Sequence, residues 1–287
     1  MPKAAIISKP QKAELEHILP ELVVWLGENG FDFILDPESA GYLQSESAEA
    51  IERQLMPEHE PDLVVMLGGD GTLLAAARAF AFTKTPILAV NLGSLGFLTE
   101  TPLSDMFGAL EAWLEGTAIL DTRNLMHCEL HRDGRPFRKW EALNDVVVAK
   151  GAIARMGEFG IELDGQFVAS FRADGVIVST PTGSTAYNLA ADGPILMPNV
   201  DAMVITAICP HLLTIRPIVV PGSAEVCVSV ASVPHETFLT VDGQEAVELL
   251  LGDRIRCRRS EYSVNLLRLK PNGLFNVLRS KLSWGER

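Results

Sequence analysis

Residues 63–74, Leu-Val-Val-Met-Leu-Gly-Gly-Asp-Gly-Thr-Leu-Leu, constrain this chain more than any other stretch. Five apolar residues, two of them β-branched, run into Gly-Gly-Asp-Gly, and Thr72 then opens an Ala-rich run from Leu73 to Phe80. That order predicts a buried strand, a glycine turn and a helix. The glycines let backbone pass close to a ligand, and the first N–H groups of the helix point toward it. Asp70 places one carboxylate inside this anion-friendly loop. It would repel a phosphate, so the reading is that it faces a hydroxyl or a metal ion.

The flanking sequence repeats the same grammar. Residues 3–8 predict a strand, and Leu15, Ile18, Leu19, Leu22, Trp25 and Leu26 have helical spacing within 11–29. Pro20 predicts a kink or the helix's true start. Gly30 suits a left-handed helix end, with a strand at 31–35. A helix is expected around 46–56. Residues 86–90 form another strand, ending in a second glycine-rich loop, Asn91-Leu92-Gly93-Ser94-Leu95-Gly96-Phe97-Leu98. Thr101 and Pro102 read as the cap and first position of a helix running to about Glu115. Alternating strands and helices imply a mostly parallel sheet covered by helices, with ligands at the carboxyl ends of its strands. Both glycine loops fall at such ends.

From about residue 121 the period changes to two. Met126, Cys128 and Leu130 alternate with His127, Glu129 and His131, and Asp133-Gly134, Asp164-Gly165 and Asp242-Gly243 are hairpin signals. This half reads as all-β, with one short helix allowed at 184–191 and strands at 254–258 and 262–269. The segment 274–284 returns to helical spacing and is expected to pack on the first domain.

Composition narrows the function. With 37 acidic and 24 basic residues the net charge is −13, which disfavours a nucleic-acid or anionic-membrane surface. No apolar run approaches the roughly 20 residues of a membrane span. The apolar part of the N-terminus is too short for a signal peptide, so a cytoplasmic protein is expected. The four cysteines form no C-x-x-C pair, and neither a zinc site nor a disulfide framework is expected. His127, Glu129 and His131 read as an exposed polar face in preference to a metal site. No P-loop is present, and Leu74 breaks G-x-G-x-x-G, which argues against a P-loop ATPase and a standard dinucleotide dehydrogenase.

Two further clusters carry chemistry. Residues 172–187, Arg-Ala-Asp-Gly-Val-Ile-Val-Ser-Thr-Pro-Thr-Gly-Ser-Thr-Ala-Tyr, place a hydroxyl-rich loop after a strand, able to serve ribose, phosphate or amide groups. Asn144-Asp145 precedes Val146-Val147-Val148. Each alone is compatible with a polar turn. Together, GGDGT, NLGSLGF, LNDVVV and DGVIVSTPTGSTAY, in this order, closely resemble the NAD kinases. TPTGSTAY is the specific part, since GGDG is shared with lipid kinases and phosphofructokinases. The resemblance runs from the first strand to Lys281-Leu282-Ser283-Trp284-Gly285.

The resemblance implies transfer of the γ-phosphoryl group of ATP, or of another donor such as polyphosphate, to the 2′-hydroxyl of the adenosine ribose of NAD, giving NADP. It implies that Asp70 accepts a hydrogen bond from that hydroxyl. A carboxylate is too weak a base to deprotonate an alcohol beforehand, but a loose phosphoryl-transfer transition state needs little base strength. Gly71 would cradle phosphate, and Phe97, Asn144, Asp145, Asp174, Thr182, Thr185, Ala186 and Tyr187 would surround the dinucleotide. Arg155 and Arg172 are expected to contact phosphate or ribose, with surface ion pairs as the alternative. Gln244 is expected to reach the site from its hairpin. Many relatives carry Ser near position 190 and Glu at 145. Ala190 therefore lacks a side-chain hydrogen bond, and Asp145 keeps the charge with a shorter reach. Mg²⁺ would be bound mainly through nucleotide phosphates, without a dedicated protein metal site.

The resulting expectation is an α/β N-terminal domain (Rossmann-like, mostly parallel) over 1–120, a β-rich, sandwich-like dinucleotide-binding domain over 121–269, and a returning tail over 270–287. The active site is expected between the domains, in a homodimer or homotetramer. A lipid kinase would instead need an apolar acceptor pocket, and a dinucleotide sensor would bind NAD without turnover.

Overall fold

The computed structural model of the chain describes residues 1–43, 50–151, 156–232, 236–270 and 273–284. The chain divides into two compact units, Met1–Thr122 with Ser263–Arg287, and Arg123–Tyr262. The sequence pattern changes at 120 and the last apolar run ends at 269, whereas the chain re-enters the first unit within its final strand.

The first unit contains β1 (Lys3–Ser8), α1 (Leu15–Glu28), β2 (Asp32–Leu35), α2 (Pro37–Leu43), β3 (Leu63–Gly68), α3 (Asp70–Ala79), β4 (Ile87–Asn91), the short β5 (Thr101–Pro102) and α4 (Met106–Leu114). The strand order β2-β1-β3-β4 is parallel throughout. Every residue of β3 and β4 is buried, as expected of strands covered on both faces. Leu15, Leu19, Leu22 and Leu26 of α1 pack on Ala4, Ile6, Leu63, Val65 and Leu67. Each such leucine stabilises the fold by about 1.5–3 kcal/mol. Pro20 lies inside α1 on its exposed face, as does Glu16, whose carbonyl it cannot pair.

The sequence misassigned three local elements here. Thr101 and Pro102 do not start a helix; they pair with Val90 and Asn91, and α4 begins only at Met106, after a tight turn at Leu103–Asp105. Helix α2 was not foreseen. Of the helix expected around 46–56, residues 44–49 lie outside the described residues, and Met56 opens a single 3₁₀ turn to His59.

The second unit takes β6 (Ile119–Arg132) from Arg123 onward, then β7 (Arg135–Ala142), β8 (Asp145–Lys150), β9 (Gly157–Leu163), β10 (Gln166–Ala173), β11 (Gly175–Ser179), α5 (Tyr187–Ala190), β12 (Ala202–Ile208), β13 (Ile218–Pro221), β14 (Val226–Ser232), β15 (Thr237–Val241) and β16 (Glu245–Glu248). One antiparallel sheet runs β13-β12-β11-β8-β15-β16. A second contains β10-β9-β14 and the N-terminal part of β17 (Arg254–Arg268). Alternate residues of both sheets, including Val146, Val176, Leu239, Phe159, Val228 and Ile255, meet in one core. This is a sandwich. The three Asp-Gly turns all have positive φ at both residues, from 49° to 76°; the turns at 133–134 and 164–165 are two-residue hairpins, and the one at Asp242-Gly243 adds Gln244 before β16. Sequence reading split β17 in two; near its end Leu266 and Leu267 pair with Ile87 and Leu88 of β4 in the first unit, followed there by α6 (Leu274–Leu282).

His127, Glu129 and His131 are half-buried, not an exposed face. His127 Nδ1 lies 2.6 Å from Glu141 Oε1, and Glu129 bridges His127 and His131 at 3.1 and 3.0 Å. The four cysteines are free, and no described helix is long and apolar enough to cross a membrane.

Candidate active site

In the first unit β1 leads outward to β2, and the chain then crosses back to β3. The carboxyl ends of β1 and β3 therefore flank the switch point at which open α/β sheets bind ligands. A pocket of about 300 Å³ lies there, bordered by Lys9, Gly69, Asp70, Ser94, Thr99 and Lys281. Lys12 also lines it, so three lysines border the pocket at the N-terminus of α3 in an acidic protein. That combination is suited to a polyanion such as a phosphate chain.

Asp70 is the first residue of α3, and its carboxylate turns toward the second glycine loop. Oδ1 accepts from the N–H groups of Leu98 and Thr99 at 3.2 and 3.0 Å and from the Thr99 hydroxyl at 2.9 Å; Oδ2 accepts from Phe97 N–H at 2.9 Å. Asn91, buried at the end of β4, ties the loop by donating from Nδ2 to the Ser94 and Thr99 carbonyls and to the Thr99 hydroxyl. Gly96 is required by close approach, since a Cβ there would lie 2.1 Å from Asp70 Oδ1. The donors crowd Oδ1, so Oδ2 keeps lone-pair capacity for one further donor.

In the second unit the loop after β11 folds against the start of β8. Thr180 N–H donates to the Asn144 carbonyl at 2.9 Å and its hydroxyl to the Leu143 carbonyl at 2.6 Å. A Cβ on Gly183 would lie 2.0 Å from the Asn144 carbonyl oxygen, so this contact admits only glycine. The Ser184 hydroxyl donates to the Pro181 carbonyl at 2.6 Å, and Asn188 bonds the Ser184 and Pro194 carbonyls. Much of the hydroxyl-rich sequence thus shapes its own loop. Thr182, bonded by Arg123, is buried; Thr185 and Ala186 are half-buried; Tyr187 and Ala190 are exposed on α5.

Asp242 organises the neighbouring corner. Its carboxylate accepts the N–H groups of Leu143, Asn144 and Asp145 at 2.9, 2.7 and 3.1 Å. Asp145 is buried beside it. Burial first, and the Asp242 charge second, push the Asp145 carboxyl up to about 7, against a hydrogen bond from Tyr187 N–H. Asn144 Oδ1 is buried without a partner, an acceptor left for a donor from outside the chain.

The sequence patterns of the ATP-NAD kinase N-terminal and C-terminal domains match residues 4–118 and 143–269. A protein of Acidobacterium capsulatum named NAD kinase is 58% identical over 287 residues, covering all of both chains. The chain belongs to the NAD kinase family. An NAD kinase of Koribacter versatilis is 50% identical over the same length. The crystal structure of yeast NADH kinase complexed with NADH superposes with a TM-score of 0.89 at 25% identity, covering 100% of this chain and 89% of that one. The expected family and fold class both hold.

Among the residues expected in an NAD kinase site, Asp70, Gly71 and Phe97 share one corner of the first unit. In the second unit Asn144, Asp145, Thr182, Thr185, Ala186 and Tyr187 meet at one end of β11, and Gln244 sits on the hairpin that carries Asp242. Asp174 does not join them. It precedes β11 at the opposite end, about 16 Å along the strand, where it pairs with Lys150 at 3.5 Å. Arg172 is exposed on the edge strand β10 near that end. Arg155 lies outside the described residues. Sequence reading missed Lys9, Lys12, Lys281, Asn91, Thr99, Arg123 and Asp242. Lys9 and Lys12 directly follow the first strand, a position that the carboxyl-end rule could have singled out; Lys281 carried no such signal.

Proposed function

We propose that this chain transfers the γ-phosphoryl group of ATP to the 2′-hydroxyl of the adenosine ribose of NAD, producing NADP. The observation that carries this reading is the Asp70 carboxylate, held by four hydrogen bonds yet keeping capacity on Oδ2, in a pocket with three lysines and a helix N-terminus. Lys9, Lys12, Lys281 and the loop at Gly69–Gly71 hold the donor's phosphates. Asp70 Oδ2 accepts the ribose hydroxyl, orients it, and takes its proton late as the new P–O bond forms. Asn144 Oδ1 and the corner with Asp145, Thr182, Thr185, Ala186 and Tyr187 hold the dinucleotide.

The donor set fits a divalent ion delivered by the nucleotide. Asp70 is the carboxylate lining the pocket, beside lysines that favour phosphate. Mg²⁺, when bound, neutralises charge on the β- and γ-phosphates. Gln244 is proposed as a further contact to the dinucleotide and Arg155 as a contact to phosphate or ribose; Arg172 and Asp174, at the far end of β11, take no part in this corner. Assembly as a homodimer or homotetramer is supported by the exposed Phe167, Leu213 and Leu251 of the second unit. A cytoplasmic setting suits the four free cysteines.

The test is NADP formation from ATP, Mg²⁺ and NAD by wild type and Asp70→Asn, with NAD binding measured on both. Asn presents an amide NH₂ to the Phe97 N–H or to the Oδ1 donors, so the variant disturbs the clamp as well as the charge. Thr99→Val, which removes one donor and leaves the carboxylate, is the control. Loss of roughly 10²-fold or more in kcat with retained NAD binding is expected for Asp70→Asn. Wild type that binds NAD without forming NADP would refute the kinase reading.

A further inference from the structure

A second pocket of the first unit is not used by the reaction above. It has a volume of about 230 Å³ beside the carboxyl end of β17. Leu95, Pro102, Leu269 and Val277 give it aliphatic walls, and Glu100 and Arg268 supply a polar edge. Arg268 has only 6% of its side chain exposed. Its Nε donates to Asp121 Oδ2 at 2.6 Å and its Nη1 lies 2.7 Å from Glu100 Oε2, but Nη2 is buried without a partner. Glu100 is in the same condition. Its Oε2 accepts from Arg268 and, at 3.4 Å, from Gly273 N–H, while Oε1 is buried without a partner.

Buried polar atoms are rarely left unsatisfied, because each keeps its desolvation cost without a compensating bond. Here one donor and one acceptor are left on the two partners of a single ion pair, and both residues line the same pocket. The complementary ligand presents an acceptor beside a donor on one edge and apolar faces to the aliphatic walls. A heterocyclic base has this form. The volume lies below the roughly 300–1,000 Å³ of pockets for whole drug-sized ligands, so it suits one ring system.

We infer that this pocket receives the base of the phosphoryl-donor nucleotide, with Arg268 Nη2 donating to a ring nitrogen or carbonyl and Glu100 Oε1 accepting from an amine or ring N–H. The inference rests on the lysine-lined pocket being the phosphate site. The two pockets share the second glycine loop as a wall: Ser94, Gly96 and Thr99 face one, and Leu95 and Glu100 face the other. Both lie at the carboxyl edge of one parallel sheet, since β17 continues it beside β4. Helix α6 borders both, through Lys281 and through Val277. A nucleotide with phosphates over Asp70 and its base beside Arg268 would straddle that loop. A carboxamide carries the same acceptor and donor, so the nicotinamide end of NAD is the other source of this chemistry.

The experiment compares wild type with Glu100→Gln, which turns the free Oε1 acceptor into a donor while keeping an oxygen for Arg268, and with Asn276→Trp, a substitution at an exposed rim position that lays a ring over the pocket mouth. KM is measured for ATP and for NAD, together with inhibition by tripolyphosphate, which has phosphates and no base. Both variants are expected to raise KM for ATP tenfold or more, leaving KM for NAD and the tripolyphosphate inhibition constant within twofold. An unchanged KM for ATP in both would overturn the inference and leave a buried water at the edge. A rise for NAD alone would assign the pocket to the carboxamide, and an equal loss for tripolyphosphate would trace the effect to the phosphate site; either overturns it. Absence of NADP formation by wild type would instead refute the kinase reading itself.

Discussion

Replacing Asp145 by Asn is expected to stabilise the ligand-free protein in alkaline solution relative to acid. The folded protein raises this carboxyl from 3.8 to about 7, mainly through burial. A group that binds its proton more tightly when folded stabilises the fold fully below its unfolded pKa, and that contribution is lost as pH rises to the folded value. At about 1.4 kcal/mol per pH unit the loss totals about 4 kcal/mol, of which about 3 kcal/mol falls above pH 5. Asn removes the ionisation but buries amide N–H groups, at a cost of roughly 1–3 kcal/mol that does not depend on pH. The difference between the variant's effect at about pH 8.5 and at about pH 5 cancels that cost and isolates the carboxylate. Urea unfolding of both proteins at both pH values, followed by circular dichroism, measures it. The variant's relative stability should rise by about 3 kcal/mol from acid to alkali. A change within about 0.5 kcal/mol of zero, or of opposite sign, would show that Asp145 is not held as a strained acid and that Asp242 and burial do not act on it as argued.

Three other outcomes follow from close contacts and charge. Gly96→Ala drives a methyl into Asp70 Oδ1 and the Thr99 hydroxyl, so kcat should fall roughly 10²-fold with little change in circular dichroism. Gly183→Ala pushes the 180–187 loop off the Asn144 backbone and should abolish NAD binding in calorimetry while destabilising the protein by about 1–3 kcal/mol. Lys281→Met should weaken tripolyphosphate inhibition roughly tenfold at low salt, and the effect should shrink as ionic strength rises.

The elements legible in the sequence were those whose signal is local. The apolar run of β3 stopping at Gly68, and the three Asp-Gly turns, need no distant partner to declare themselves, and they fold as read. Thr101-Pro102 carries an equally clear helix-start signal, yet pairing with Val90 and Asn91 overrides it, because the edge of β4 offers hydrogen bonds that a helix cap cannot match. In the candidate site the glycines were visible, but their purpose was not. Gly96 and Gly183 are small because Asp70 and Asn144 come against them from far along the chain. The hydroxyl-rich loop offered donors for a ligand, yet those of Thr180 and Ser184 bind the backbone carbonyls of Leu143 and Pro181. Lys281 reaches the pocket because the C-terminal helix returns to the first unit; the helical spacing of 274–284 announced that return, but not that a lysine on it would line the pocket beside Asp70.

The path of β17 also sets an order of events during synthesis. Residues Arg123–Tyr262 form a continuous stretch and can complete their sandwich as soon as it has emerged from the ribosome. The first unit cannot. Although it begins at the N-terminus, the flank of β4 at Ile87 and Leu88 stays open until Leu266 and Leu267 arrive. An unpaired parallel edge is a hazard for wrong pairing between nascent chains, and the wait is shorter in space than in sequence because the intervening residues have already condensed. The domain translated first is therefore the last to be finished, and a ribosome that stalls near residue 260 would release a chain with one complete half and one exposed sheet edge.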